Sequence, residues 1–369
     1  MNFSLKFIMF FLFVLVFWFL LNGYFLWRIL TLPLFSSKVT KYIVIAVVLF
    51  LALSYILGRI FTHKGIDGFF SFLEVIGAVW MGVLFISTTY ILFADILTLF
   101  GYFKSTSIYA RYFALIVSLF LIIFSFYQGM RTPVIKEVKV LTDNPSLKKL
   151  KIVQLSDLHL GKIQGKKFLK KVVEKVDYQN PDIVVITGDI IDSDGKKEGK
   201  LKKIFKEIKA KIGVFAVLGN HEYYHGAHKN LKFFEESGIT ILRNENREIL
   251  DGLILAGVDD LSFKREFDQK EDFLQKALKE RKKGYTILLS HSPLEVEKSA
   301  QFGVNLMLAG HCHNGQIWPF KFFSKIFYPY NYGIYKVKDM DLIVTSGTGT
   351  WGPPMRLFRP NEIVVIELN

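Results

Sequence analysis

Lys151–His159 reads KIVQLSDLH, an apolar run that stops at Ser, Asp and His. Four later stretches repeat the plan: Asp182–Asp192 (DIVVITGDIID), Gly213–Glu222 (GVFAVLGNHE), Tyr285–His291 (YTILLSH) and Val304–His313 (VNLMLAGHCH). Each run of β-branched and aliphatic residues has the length and continuity of a strand buried on both faces, as in parallel sheets. In open α/β sheets ligands gather outside the carboxyl ends of the strands. Here every such end carries Asp, Asn or His, so the five ends predict one site.

Helical patterns at 165–178, 198–210, 227–237 and 267–282 separate these runs. Strand–helix alternation predicts an α/β fold, a largely parallel sheet with helices on its faces. Val134–Leu141 alternates like a half-exposed strand. After His313 the pattern shortens to strands near 315–318, 333–338, 341–345 and 362–368, which predicts a second, more antiparallel sheet packed on the first.

The first third of the chain is different. Residues 1–130 hold only eight of the 47 Lys/Arg and three of the 33 Asp/Glu. They contain apolar runs at 7–27, 42–61, 75–94 and 112–129, and about 20 apolar residues cross the hydrocarbon of a bilayer. The first run is too long for the core of a signal peptide and no small-residue cleavage site follows it. Arg28, Lys38, Lys41, Arg59, Lys64, Lys104 and Arg111 are assigned to the gaps, with Arg59 snorkelling from the second helix. Glu74 and Asp95, at the ends of the third run, read as interfacial. Thr132-Pro133 breaks the last helix, so the expected division is a membrane anchor over 1–130 and a second domain over 131–369.

Four spans put both termini on one side. Eight basic residues near that side against five on the other predict a multi-pass protein of the cell membrane with 131–369 on the cytoplasmic side. The net charge of +14 favours a lipid bilayer over nucleic acid as the charged partner. A single cysteine, Cys312, excludes an intrachain disulfide.

Asp157 and His159 are two apart at a strand end, which would send both side chains to one face. Asp189 follows Gly188 and Asn220 follows Gly219; His291 and the pair His311/His313 end two more runs. Imidazoles, carboxylates and an amide of this number suit two adjacent mixed nitrogen–oxygen metal sites. Two cations about 3.5–4 Å apart can polarise a phosphoryl group, hold a bridging hydroxide and steady a leaving oxygen. Five of the eight histidines, His159, His221, His291, His311 and His313, fall in the five stretches, far more than satisfied core histidines would supply.

The blocks DLH, GDIID, GNHE, SH and GHCH, in that order, resemble the signature of the calcineurin-like metallophosphoesterase superfamily. SHSP at His291, GHCHNGQ and the terminal GPPMRLFRPNEI look like its branch of membrane-linked bacterial phosphohydrolases. That branch includes a cell-wall phosphodiesterase and a UDP-2,3-diacylglucosamine pyrophosphatase. The resemblance implies an αββα sandwich of two mixed sheets. It implies one metal on Asp157, His159 and His313, with Asp189 bridging, and a second on Asn220, His291 and His311. His221 would stand near the leaving group, as proton donor or charge stabiliser, and Asp192 would orient it. The two divalent ions would be manganese, iron or zinc, with manganese favoured. The implied activity is cleavage of a phosphodiester or pyrophosphate by a metal-bridging hydroxide, on a lipid-linked phosphate such as UDP-2,3-diacylglucosamine. The alternatives are a phosphodiesterase or nuclease acting on soluble nucleotides, and a non-enzymatic membrane scaffold.

Asn314 departs from the branch, which has a second Gly there. Cys312 is expected to pack away from the metals. Gln316 and Arg356 are candidate phosphate contacts, Glu222 a supporting residue, and His225 and His228 either surface or pocket residues. The aromatic stretch Trp318, Phe320, Phe322, Phe323, Phe327 and Tyr328 reads either as core or as an apolar surface turned to a bilayer or an acyl chain.

Overall fold

The computed structural model describes residues 3–192, 199–224, 226–266 and 271–369. The chain divides into two compact units, Met1–Met130 with Gly352–Leu357, and Arg131–Trp351 with Phe358–Asn369.

Among the described residues the first unit contains four α-helices: α1 (Phe3–Leu30), α2 (Lys38–His63), α3 (Phe69–Leu97) and α4 (Lys104–Met130). All four are long and apolar enough to cross a membrane. Each extends beyond its apolar run at one or both ends, because polar flanking residues cap or continue a helix that hydrophobicity alone does not delimit. Ser37, for example, accepts a hydrogen bond from the Thr40 N–H and starts α2. A Cβ on Gly77 of α3 would lie 2.2 Å from the backbone nitrogen of Tyr55, so the absent side chain lets α2 and α3 meet backbone to backbone.

The charges of this unit are not where the sequence assigned them. Asp95 is fully buried; its two oxygens lie 2.6 Å from Arg28 Nε and 2.8 Å from Arg111 Nε, and Tyr24 donates to it. Arg28 also stacks over the Trp27 ring at 3.7 Å. These three charges are therefore inter-helix ties and not gap or interfacial residues, because ionised groups inside an apolar bundle must pair. Glu74 accepts from Arg59 Nη1 and Thr62 Oγ1, both at 3.0 Å. The segment Gly352–Leu357 belongs to this unit through Arg356, whose N–H donates to Ser125 O at 2.8 Å.

The second unit contains twelve strands and eight further helices among the described residues. The strands are β1 (Val134–Val140), β2 (Lys151–Leu155), β3 (Ile183–Thr187), β4 (Gly213–Val217), β5 (Ile239–Ile241), β6 (Glu245–Leu250), β7 (Leu253–Gly257), β8 (Tyr285–Leu289), β9 (Leu306–Ala309), β10 (Gly333–Val337), β11 (Met340–Val344) and β12 (Glu362–Leu368). The helices are α5 (Lys166–Tyr178), α6 (Gly199–Phe205), α7 (Asn220–Tyr224), α8 (Ala227–Glu235), α9 (Leu261–Glu266), α10 (Phe273–Leu278), α11 (Val296–Gln301) and α12 (Phe320–Phe327).

One sheet has the order β1-β12-β2-β3-β4-β5, the other β10-β11-β9-β8-β7-β6. Both are mixed. The first is parallel except for β12 against β2, and the second is antiparallel only at its two edges, β10–β11 and β6–β7. The runs at Tyr285 and Val304 lie in the second sheet with β7, while 362–368 returns to the first sheet between β1 and β2. Residues 315–318 form a turn and no strand.

Continuous apolar strands follow from burial on both faces. In β3, Ile183 and Val185 point between the sheets, with Leu255, Ile287 and Leu308 opposite. Val184 and Ile186 point the other way, against Leu169, Val172 and Phe233 of α5 and α8. On the outside of the second sheet Leu288, Met307 and Val344 meet Phe273, Leu274 and Val296 of α10 and α11. The result is four layers, α-β-β-α. Each fully buried aliphatic side chain contributes about 1.5–3 kcal/mol, so this core fixes where the strand ends lie.

Candidate metal centre

The loops that leave β2, β3, β4, β8 and β9 converge. The strands stop one or two residues short of the functional side chains, and the loops then hold one another. Asp157 N–H donates to Gly188 O, and His159 N–H to Asp189 O, both at 3.0 Å; Gly310 N–H donates to His291 O at 2.8 Å. Asp157, His159, Asp189, His311 and His313 all have positive φ, between 45° and 70°. Non-glycine residues seldom take this conformation, and it concentrates where the surrounding structure demands it for function. The expected strand alternation therefore does not set these side chains: the reversed backbone does. Gly188 has φ +81°, and a Cβ there would meet His291 Nδ1 at 2.6 Å.

All seven proposed ligand residues come together. Ligand-capable atoms of Asp157, His159 and His313 lie within 4.8 Å of one another, as do those of Asp189, His291 and His311. His159 Nε2 is 3.1 Å from His313 Nε2, and His313 Nε2 is 3.4 Å from Asp157 Oδ1. His311 Nδ1 is 3.0 Å from His291 Nε2, and Asn220 Oδ1 is 3.1 Å from each of those two nitrogens. Asp189 Oδ2 lies between the groups, 3.2 Å from His291 Nε2 and 3.7 Å from His159 Nε2. His221 also brings a ring nitrogen within 4.8 Å of His159 and Asp189.

The outer atoms of the rings are held. Asp192 Oδ1 takes Nδ1 of His159 at 2.9 Å and Nδ1 of His221 at 2.8 Å. His291 Nδ1 lies 2.8 Å from Thr187 O, a carbonyl that can only accept, so this nitrogen carries a proton and Nε2 is the ring atom turned to the centre. His311 Nε2 lies 2.8 Å from the Tyr328 hydroxyl. Glu222 is buried and accepts from the N–H groups of Gly219, Asp189, Ile190 and Ile191, which ties the GDIID and GNHE loops into one frame.

Burial and packed charge pull the titrating groups apart. Burial opposes a proton on His159, yet Asp192, Asp189 and Asp157 outweigh it and hold the imidazole at about 9. His311 goes the other way: burial and the neighbouring His291 push it down to about 4. Burial raises the Asp157 carboxyl, whereas His291, His221 and His159 overcome burial at Asp189 and hold it well below the usual carboxylate range.

The donor set fits divalent cations. His159 and His291 have their Nδ1 atoms committed to Asp192 and Thr187, so their Nε2 atoms face other ring nitrogens at 3.0–3.1 Å. Nitrogens at this spacing can share a proton, and a cation that displaces the proton would find both already turned to it. With two carboxylates and an amide oxygen the set is the mixed nitrogen–oxygen kind that manganese, iron or zinc accept.

Sequence reasoning did not single out Tyr328 as a partner of His311, nor Trp351, whose ring is 6.3 Å from that of His221. Their signal was proximity to motif residues across a turn, which spacing does not encode. Gln316 contacts Trp351 at both its N–H and its carbonyl, and Arg356 is fully buried in the first unit. Asn314 has φ 50°, a conformation that Asn, like Gly, tolerates, which explains the departure at this position. Cys312 is buried, with its thiol pushed well up by burial. His225 lies outside the described residues, as does the side chain of His228.

The family of calcineurin-like phosphoesterases matches residues 150–315. An uncharacterized metallophosphoesterase of Campylobacter jejuni is 38% identical over 258 residues, covering 69% of this chain and 68% of the relative. One of Helicobacter pylori is 39% identical over 246 residues, covering 66% of each, so the chain spans just under two thirds of that relative. A zebrafish (Danio rerio) transmembrane protein with metallophosphoesterase domain is 31% identical over 269 residues, 69% of this chain and 62% of its own length. Ordered metal-ligand blocks, a four-layer sandwich and these relatives agree: the chain belongs to the calcineurin-like metallophosphoesterase family.

Proposed function

We propose that this chain is a membrane-anchored hydrolase that cleaves a phosphodiester or pyrophosphate bond, with a lipid-linked phosphate such as UDP-2,3-diacylglucosamine as the favoured substrate class. The observation that supports it is the position of Asp189 Oδ2 between two sets of imidazoles. Asp157, His159 and His313 would hold one divalent cation and Asn220, His291 and His311 the other, with Asp189 shared. When bound, such a pair polarises a phosphoryl oxygen and makes water acidic enough to react near neutral pH.

The chain's own residues supply the rest. His221, His311 and Asp192 are only half-buried while the other site residues are buried, so phosphate arrives from their side. Asp192 occupies Nδ1 of His221, which leaves Nε2 to give a proton to a departing oxygen. Four N–H groups on Glu222 keep the two loops from drifting as charge develops. On this reading 131–369 faces the cytoplasm: with Arg28 and Arg111 tied to Asp95 inside the bundle, eight basic residues on that side stand against Lys38, Lys41 and Lys104 on the other.

A panel of lipid pyrophosphates, phosphodiesters and monoesters, run with purified full-length protein in Mn²⁺, tests the proposal. Turnover of a diester or pyrophosphate that chelation abolishes is expected. Turnover unaffected by chelation, or none across the panel, would discard it. Activity on soluble cyclic nucleotides exceeding that on lipid pyrophosphates would favour the nucleotide alternative, for which Trp351 beside His221 is the supporting feature.

A further inference from the structure

Helix α12 (Phe320–Phe327) turns its apolar side outward. Phe322, Phe323, Ile326 and Phe327 are 56%, 52%, 73% and 65% exposed, and no residue of the helix is buried. At 100° per residue these four and Phe320 fill one side. Lys325 borders that face, and Lys321, on the opposite side of the helix, reaches back over the Phe322 ring, its Nζ 5.0 Å from the centroid. The polar side meets the protein: Ser324 Oγ accepts from Nδ2 of the buried Asn331 at 2.9 Å. An amphipathic helix of a water-soluble domain is oriented the opposite way. A contiguous exposed apolar face of this kind marks a partner or a membrane.

We infer that α12 lays its apolar face into the acyl-chain boundary of an anionic leaflet, with Lys321 and Lys325 at the headgroup phosphates. Charge selects this occupant over another protein surface. Lysines flanking an aromatic and aliphatic face are the composition of helices that lie in a bilayer interface. The chain's excess of base over acid is attracted to anionic lipid, and its four helices long and apolar enough to cross a membrane favour a bilayer as the nearby surface.

The surface reaches the metal centre from two points. Tyr328, which follows α12, holds His311 Nε2 at 2.8 Å. At the other end Gly315, in the turn carrying His313, packs so tightly on the helix start that a Cβ would lie 2.2 Å from Lys321 N. A leaflet that fixes α12 thereby fixes the site's open side against headgroup phosphates. The coupling rests on the hydrolase reading; the insertion does not.

The test places a single Cys at Ile326 (Ile326→Cys) in the full chain in nanodiscs of anionic lipid. Cys312 is buried and leaves labelling selective. An environment-sensitive dye at 326 is expected to be quenched by acyl-chain spin labels and shielded from iodide, with a dye at exposed Lys338 (Lys338→Cys) showing the reverse. Replacing Phe322 and Phe323 with Asp should at least halve the lipid quenching, while turnover of a soluble aryl phosphodiester stays within twofold. Iodide quenching at 326 without lipid quenching, or a 326–326 crosslink that grows with protein concentration, overturns the insertion. Lipid quenching in a protein that hydrolyses no aryl diester leaves the insertion standing and sinks the hydrolase reading alone.

Discussion

Asp192 Oδ1 lies 2.8 Å from Nδ1 of His221, and the same oxygen lies 2.9 Å from Nδ1 of His159. One carboxylate thus orients a ring proposed as a metal ligand and the ring proposed to serve the leaving group. His159 and His221 overcome burial and hold Asp192 well below the usual carboxylate range. Removing its charge should therefore weaken two functions together. Asp192→Asn is expected to lower turnover by about 10–100-fold and to weaken metal retention, as outer partners of ligating histidines do. His221→Ala should lower turnover without changing metal content. Its effect should be larger for an alkyl ester than for a nitrophenyl ester, whose leaving oxygen needs no proton. Steady-state rates on the two esters, with metal analysis of each variant, check both.

Asp189 has ring nitrogens on both sides, at 3.2 and 3.7 Å. Asp189→Ala should lose both cations, because without the shared carboxylate only Asp157 would offset two divalent charges held otherwise by neutral imidazoles and an amide. His311→Ala removes one ligand of one set and should leave about one ion per chain. Elemental analysis after gel filtration reads the difference; retention of two ions by Asp189→Ala would remove Asp189 from the centre.

Metal-free His159 holds its proton up to about pH 9, and His291 is raised as well. A cation must displace those protons, so apparent affinity should climb with pH and level off above about 9. At pH 7 loading should release at least one proton per chain. Titration calorimetry in buffers of different ionisation enthalpy measures the release, and a heat independent of buffer would contradict it. In the metal-free chain the sign is opposite. The stability from protonated His159 is complete below about 6.5, its unfolded value, and is lost as pH rises through about 9.

The blocks that converge on the candidate site were legible because each follows a strand whose apolar run marks its own end: Val153 and Leu155 precede Asp157, and Val184 and Ile186 precede Asp189. Direction was not. Asp157 and His159 share a site through positive φ beyond the strand, and no side-chain alternation predicts that. Sheet membership was hidden for a related reason. Ile287 and Val185 are both buried between sheets, and neither run states which strand lies beside it. Asp95 and the aromatics of α12 show the other limit. A carboxylate at the end of an apolar helix looks the same in sequence whether solvated or paired with Arg28 and Arg111, and Phe322 looks the same in a core or at a surface.

Asp95 compensates two buried guanidiniums, so Asp95→Ala should cost about 3–5 kcal/mol, the penalty of leaving buried charge unpaired. A lowered thermal midpoint in detergent measures it. Replacing Arg28, Asp95 and Arg111 together by apolar residues of similar volume should recover most of the loss. If the single variant melts unchanged, the pairing contributes nothing to the bundle.

Trp351 stands beside the proposed proton donor, its ring 6.3 Å from that of His221 at an interplanar angle of 83°. Its backbone is fixed on both sides by one side chain: its N–H donates to Gln316 Oε1 at 2.9 Å and its carbonyl accepts from Gln316 Nε2 at 2.8 Å. A half-exposed indole held this way can stack against a planar leaving group. Stacking of a base on an aromatic ring is worth about 1–3 kcal/mol. Trp351→Ala should therefore raise KM for nucleotide or aryl esters by roughly 5–150-fold and leave an alkyl phosphodiester within about twofold. Gln316→Ala, which frees the backbone but keeps the ring, should produce a smaller shift in the same direction. Equal losses on aryl and alkyl substrates would mean that Trp351 shapes the loop beneath His221 and does not meet the leaving group.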